Sequence, residues 1–291
     1  METSELLKKV RKIEIKTRGL SNQIFSGEYH SAFKGRGMAF SEVREYMPGD
    51  PIRSIDWNVT ARLNHPYVKV FEEEREITMM LIIDVSASEN FGSKKMLKRE
   101  LITEVSAVLA FSAVQNNDKI GVILFSDHVE KFIPPKKGKT HILRIIRELI
   151  DFEPIGKGTN LEEALRFFNN VTKKRSIAFL ISDMLDESYE KPLRIAKQRH
   201  DFVALLTKDV AEDNLPDLGL VPMQDFETGR TFWLDTSNRE VRANYRKNRQ
   251  QKLSETTELL RKSGIDFVEL YTNQNYVQPL MKLFKMRGSR K

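Results

Sequence analysis

Asp84, Ser86 and Ser88 stand at alternate positions in Leu81-Ile82-Ile83-Asp84-Val85-Ser86-Ala87-Ser88, after an apolar run that begins at Thr78. One carboxylate and two hydroxyls so spaced offer hard oxygen donors and a single formal negative charge. Mg²⁺ suits such a set, since it takes oxygen ligands at roughly 2.0–2.1 Å in near-octahedral geometry and keeps several waters. Two later segments carry donors of the same kind. Gly156-Lys157-Gly158-Thr159-Asn160 precedes an amphipathic run from Leu161 to Phe168, so Thr159 adds a hydroxyl beside a helix start. Ile177-Ala178-Phe179-Leu180-Ile181-Ser182-Asp183 repeats the pattern of an apolar run ending in a carboxylate.

The elements that position these residues follow from periodicity. Continuous apolar runs mark strands buried on both faces, as in a parallel sheet covered by helices. The loops that follow such strands lie at the carboxyl edge, where ligands bind in open α/β folds. Strands are expected at Thr78 to Ile83, Lys119 to Phe125, Ser176 to Ile181, Phe202 to Thr207 and Phe267 to Tyr271. Val129 to Ile133 reads as a short edge strand ended by Pro134-Pro135. Helical spacing predicts helices at Ser93 to Gln115, Thr140 to Asp151, Leu161 to Asn170 and Ser188 to Gln198, with a last one from near Tyr276. Alternation of strand and helix gives an α/β class, a mostly parallel sheet with helices on both faces. Residues 219–238 read as a β-hairpin insertion turning near Gly229, with Asp225 and Glu227 as exposed turn residues.

The three donor segments, in this order, resemble the von Willebrand factor A-type domain and its metal-ion-dependent adhesion site. The resemblance implies a doubly wound von Willebrand factor A-like fold in which Asp84, Ser86, Ser88, Thr159 and Asp183 hold Mg²⁺, or another divalent cation such as Mn²⁺ or Ca²⁺. In that site one coordination position is left for an acidic residue of a partner. Glu89, beside the motif, either fills that position from within or faces solvent. The stretch from Gly35 through Glu45-Tyr46-Met47-Pro48-Gly49-Asp50-Pro51 to Trp57, continuing to Glu74, is similar to the signature of a bacterial family called domain of unknown function 58. That resemblance extends from about Ile15 to Arg287. It implies a MoxR-type AAA+ ATPase, or that ATPase's client protein, as partner, because family members are often encoded beside such ATPases.

Two regions are expected. Residues 1–76 would form an N-terminal helix and a β-rich signature segment packed on the main domain. Residues 77–291 would form the von Willebrand factor A-like domain. In the first, Arg–Asp pairs and a buried Trp57 are expected to hold the segment to its neighbour. The Pro48-Gly49 pair predicts a turn there.

Composition excludes several functions. The chain has no cysteine, hence no disulfide framework, thiolate metal site or cysteine nucleophile. No run of about eighteen apolar residues is present, and the first residues lack the apolar core of a secretory signal, so a cytoplasmic protein is expected. A membrane-associated complex remains compatible with this. The net charge of +7 gathers in residues 239–291, with 13 Lys/Arg against 5 Asp/Glu. There Arg239, Arg242, Arg246, Lys247, Arg249 and Lys252 crowd one predicted helix. No recognised nucleic-acid module accompanies them, so nucleic acid is not the expected partner.

Catalytic constellations are also missing. The second Asp of a haloacid-dehalogenase-type phosphatase is replaced by Ser86, which cannot deliver a proton near neutral pH. His30, His65, His128, His141 and His200 form no H-E-x-x-H pair, and neither G-x-S-x-G nor a P-loop occurs. The reading is therefore a non-enzymatic interaction adaptor. The alternative is a Mg²⁺-dependent hydrolase acting on a phosphorylated or nucleic-acid substrate.

Overall fold

A computed structural model describes residues 8, 10–17, 19–20, 38–73, 77–93, 96–186, 188–224 and 230–289. The chain divides into two compact units, residues 34–77 and residues 1–33 with 78–291.

In the smaller unit β1 (Met38–Glu45) pairs antiparallel with β2 (Tyr67–Glu73), and α1 (Trp57–Leu63) lies between them in sequence. The expected turn forms, with Gly49 at a φ of 110°, a conformation that glycine adopts without a Cβ clash. Arg44 grips Asp50 through two parallel contacts of 2.8 Å. That hydrogen-bonded fork holds the Asp50 carboxyl below its usual range. The pair is internal to the segment and closes its own loop. Trp57 corrects the sequence reading: it is 66% exposed rather than buried. It opens α1 behind Asp56, whose carboxylate accepts the Asn58 and Val59 N–H groups. None of the α1 residues is buried. A unit this short has too little apolar material to enclose an indole.

The larger unit holds β3 (Thr78–Asp84), β4 (Lys119–Phe125), β5 (Val129–Lys136), β6 (Ile177–Ser182), β7 (Asp201–Lys208), β8 (Leu220–Gln224), β9 (Thr231–Asp235) and β10 (Asp266–Tyr271). Its helices are α2 (Lys98–Gln115), α3 (Lys139–Asp151), α4 (Leu161–Val171), α5 (Glu190–Arg199), α6 (Val210–Asp213), α7 (Arg239–Lys262) and α8 (Val277–Ser289). Six strands make one sheet in the order β10-β7-β6-β3-β4-β5, parallel except for β5 at the edge.

Both faces of the sheet are covered. Met80 and Ile82 of β3 join a cluster with Leu165 and Phe168 of α4, Leu193 of α5 and Leu260 of α7. Successive strand residues point to opposite faces. Accordingly Phe179, opposite Leu81 in the register, meets Phe284 of α8 on the other side at 6.3 Å between ring centroids.

Two boundaries differ from the expected ones for local reasons. β5 runs through Pro134 and Pro135 to Lys136, which an edge strand tolerates because its outer N–H positions need no partner strand. The helix expected from Ser93 begins at Lys98. The Leu97 N–H donates to the Glu100 carboxylate (3.0 Å), and the Lys98 N–H to the Phe91 carbonyl (2.9 Å). The hairpin forms from β8 and β9; Asp225, Glu227 and Gly229 lie outside the described residues. Among the described residues no helix is long and apolar enough to cross a membrane.

From β3 the chain passes to β4 on one side and later returns to β6 on the other. The crevice between the carboxyl ends of β3 and β6 is therefore a topological switch point, the position where open α/β sheets bind ligands. Asp84 and Asp183 stand at its two lips.

Candidate metal centre

Asp84 ends β3 and is buried. Its Oδ1 accepts the Ser86 N–H at 2.9 Å and its Oδ2 accepts the Ser182 hydroxyl at 2.7 Å. The hydroxyls of Ser86 and Ser88 lie 3.1 Å apart, and Ser88 donates to Asp183 Oδ2 at 3.3 Å. Two strand ends nearly a hundred residues apart in sequence thus meet at hydrogen-bonding distance. Asp183 is followed by Met184 in the left-handed region, φ 53°, and the turn lets Ser182 Oγ accept the Met184 N–H at 3.0 Å.

The loop carrying Thr159 is tied to the same place by backbone contacts. The Ala87 N–H donates to the Lys157 carbonyl at 3.0 Å, and the Asn160 N–H to the Ser126 carbonyl at 2.7 Å. Thr159 is half-buried between them. Gly156 permits the close approach of this loop to the end of β4. A Cβ there would fall 2.1 Å from Asp127 Oδ1 and 2.3 Å from Ser126 Oγ. Gly156→Ala is therefore expected to destabilise the protein by about 1–3 kcal/mol, the usual cost of overpacking. Chemical denaturation measures it, and a loss below about 0.5 kcal/mol, the scatter of ordinary surface substitutions, would show that the loop yields freely.

Several residues that sequence reasoning left open or missed complete the site. Glu89 does not face solvent: it is 1% exposed. One carboxylate oxygen each from Asp84, Glu89 and Asp183 lie within 4.8 Å of one another. The Thr207 hydroxyl donates to Glu89 at 3.3 Å. Behind them lies Lys98, fully buried. Its Nζ donates to Asp183 Oδ2 and to Glu212 Oε1, both at 2.9 Å, and stands 3.9 Å from Glu89. Glu212 closes a capping box with Asp209 at the start of α6, and its Oε2 also meets Arg249 of α7 at 3.3 Å. The signal for Lys98 was its spacing. With Leu101, Ile102 and Val105 it shares one helical face, and that face is buried. Ser182 was visible only as the residue beside Asp183.

The electrostatics follow from burial. Burial raises the Asp84 carboxyl to about 7, and the nearby Asp183 charge pushes the same way. Glu89 is raised well above its usual range, chiefly by burial, against the opposing pull of Lys98. For Lys98 burial alone would lower the affinity for its proton, but the charges of Glu89, Asp183 and Glu212 outweigh it and raise it. Lys98 is therefore an ammonium.

Four carboxylates, those of Asp84, Glu89, Asp183 and Glu212, face two cations in contact with them, Lys98 and Arg249. With Asp84 and Glu89 holding their protons the metal-free cluster is balanced, Asp183 and Glu212 against Lys98 and Arg249; a divalent ion entering among them would displace those two protons. Oxygen donors from carboxylates and hydroxyls fit a hard cation of the Mg²⁺ or Ca²⁺ kind. Among the described residues no histidine belongs to the cluster. The buried His200 instead accepts the Ser176 N–H at the amino-terminal edge of the sheet, where β6 and β7 begin.

Residues 42–255 match the family described as "Protein of unknown function DUF58". An uncharacterized protein of Mycobacterium tuberculosis is 26% identical over 292 residues, covering 99% of this chain and 91% of that one. YeaD of Bacillus subtilis is 28% identical over 109 residues, 38% of this chain and 25% of its own. Among solved structures, the conserved hypothetical protein BatB from Bacteroides thetaiotaomicron is similar with a TM-score of 0.48 and 14% identity. That similarity covers 73% of this chain and 99% of BatB.

Proposed function

This chain belongs to the DUF58 family, and from that premise we propose that it is a non-enzymatic adaptor that recognises a partner's acidic side chain through a bound divalent cation. In this reading the larger unit is a von Willebrand factor A-like domain acting in the cytoplasm with a MoxR-type AAA+ ATPase or its client. Asp84, Ser86, Ser88, Thr159 and Asp183 are the ligands, with Mg²⁺ as the first candidate. The observation that supports it most is the meeting of Ser88 with Asp183 at the switch point, where one carboxylate oxygen each of Asp84, Glu89 and Asp183 come within 4.8 Å of one another.

The chemistry is recognition. A divalent ion in a partly dehydrated site attracts an incoming carboxylate more strongly than it would in water. The chain's own residues hold the ligands apart and keep water out: Ser182 fixes Asp84, and Lys98 fixes Asp183. Glu89 already points among the ligands, so an acidic partner group has to compete with it.

Pull-down of a purified MoxR-type ATPase tests this. Binding is expected with Mg²⁺ and is expected to be lost with chelator or in Asp183→Ala. Binding indifferent to both changes would overturn the metal-mediated reading. Phosphatase or nuclease turnover that requires Mg²⁺ and Asp84 would favour the hydrolase instead.

A further inference from the structure

We propose that α7 sets the cation affinity of the crevice through a line of alternating charges that runs from Arg249 through Glu212 and Lys98 to Asp183. The inference rests on the reading of that crevice as a metal centre and concerns how the site is regulated.

The line is continuous at contact distance. Arg249 meets Glu212 Oε2 at 3.3 Å, and Lys98 Nζ donates to Glu212 Oε1 and to Asp183 Oδ2, both at 2.9 Å. Its members come from four separate places: α7, α6, the first turn of α2 and the turn after β6. Side-chain exposure is 20% at Arg249 and 13% at Glu212, but 0% at Lys98 and 4% at Asp183. Charges enclosed to this degree are screened by salt far less than a surface pair.

The middle of the line is held in place. Glu212 Oε2 accepts the Asp209 N–H at 3.1 Å. The Asp209 carboxylate in turn accepts the Ser93 N–H at 3.0 Å and the Thr272 hydroxyl. The loop after β3 and the ends of β7 and β10 therefore clamp the start of α6. Lys98 is fully buried, so its ammonium is shared only among the carboxylates around it. The open end is Arg249, on a helix whose buried residues, Thr257 and Leu260, lie in its last third.

The sign of the coupling follows from competition. Lys98 and a divalent ion both seek Asp183, and the two cations repel each other. Whatever draws the ammonium toward Glu212 leaves more of Asp183 to the ion. Arg249 opposes this by taking part of the Glu212 charge. Removing the Arg249 charge should thus tighten ion binding, and removing that of Glu212 should weaken it. Neither residue is a ligand, so both act as positioning residues. By reciprocity, an ion entering the crevice loosens the hold of α6 on α7 by the same factor.

Calorimetric titration of the full chain with Mg²⁺ at pH 8 tests this. Arg249→Met is expected to tighten binding about fivefold and Glu212→Gln to weaken it about fivefold, the lower end of usual couplings between sites. Opposite shifts from two such substitutions do not arise from loosened packing. Arg249→Lys should return the affinity close to that of wild type. Arg246→Met removes the same charge from an exposed position one turn earlier on α7 and should change little. In a Glu212→Gln background Arg249→Met should have no further effect. Thermal melts check that each variant folds. Urea denaturation in chelator supplies a readout without metal. Lys98→Met and Arg249→Met together should cost more than their separate losses summed, because Glu212 then lacks both cations. Additive losses would break the line. Mg²⁺ binding by wild type that Arg249→Met leaves unchanged overturns the coupling and leaves the metal reading standing. A wild type that binds no Mg²⁺ overturns both.

Discussion

Lys98→Met should cost the metal-free protein about 3–5 kcal/mol, the penalty for removing one partner from a buried ion pair. Methionine fills nearly the same volume without charge, so packing along α2 is largely kept and the loss is electrostatic. Asp183 would lose a 2.9 Å donor and Glu212 another. Asp183 would then remain buried beside Glu89 and Asp84 with no ammonium among them, while the half-buried Glu212 would keep only Arg249. Replacement by arginine should also destabilise, because the lysine side chain is already fully enclosed and a guanidinium is wider. Urea denaturation at pH 7 in chelator measures the effect. A divalent cation should restore more stability to Lys98→Met than it adds to wild type, since it supplies the missing charge. A loss under about 1 kcal/mol would show that Lys98 does not compensate the cluster.

Much of this centre was legible in the sequence because its anchors are strand ends. Met79 to Ile83 in β3 and Ile177 to Ile181 in β6 are continuously apolar, as in a sheet covered on both faces, and the polar residues that end each strand fall at the edge. The meeting of Asp84 and Asp183 then follows from topology rather than from any local signal. Lys98 was less legible, because its charge and its helical spacing point in opposite directions. Its burial becomes tolerable only when Asp183 and Glu212, 85 and 114 residues further along, arrive beside it. Glu89 posed the same problem one residue beyond Ser88. Trp57 shows the converse. An aromatic residue type favours burial, but whether enough neighbours exist to cover it depends on the size of the unit. The basic run from Arg239 to Lys252 was visible as charge. That it rides on a helix whose first turns bury nothing was not, because Val241, Tyr245 and Leu253 imitate an inner face and are only half-buried.

Mg²⁺ should stabilise the protein by about 2.7 kcal/mol at a hundredfold excess over its dissociation constant, and this gain should depend on pH in a defined direction. In the folded metal-free protein Asp84 holds its proton up to about pH 7, whereas in the unfolded chain it ionises near 3.9. Between these values the unfolded state binds fewer protons. The contribution of Asp84 to metal-free stability therefore falls as pH rises through this window and levels off above about 7. Cation binding needs the ionised carboxylate, so apparent affinity should rise across the same window and flatten beyond it. Thermal melts with Mg²⁺ and with chelator should accordingly differ little at pH 5 and most at pH 8. Asp84→Asn removes the titrating group and a charged ligand together. It should remove the Asp84 share of the pH dependence in chelator, leaving that of Glu89, and erase the response to Mg²⁺ at every pH. A Mg²⁺ shift of equal size at pH 5 and pH 8, or one that survives Asp84→Asn, would place the stabilising ion somewhere other than the crevice between β3 and β6.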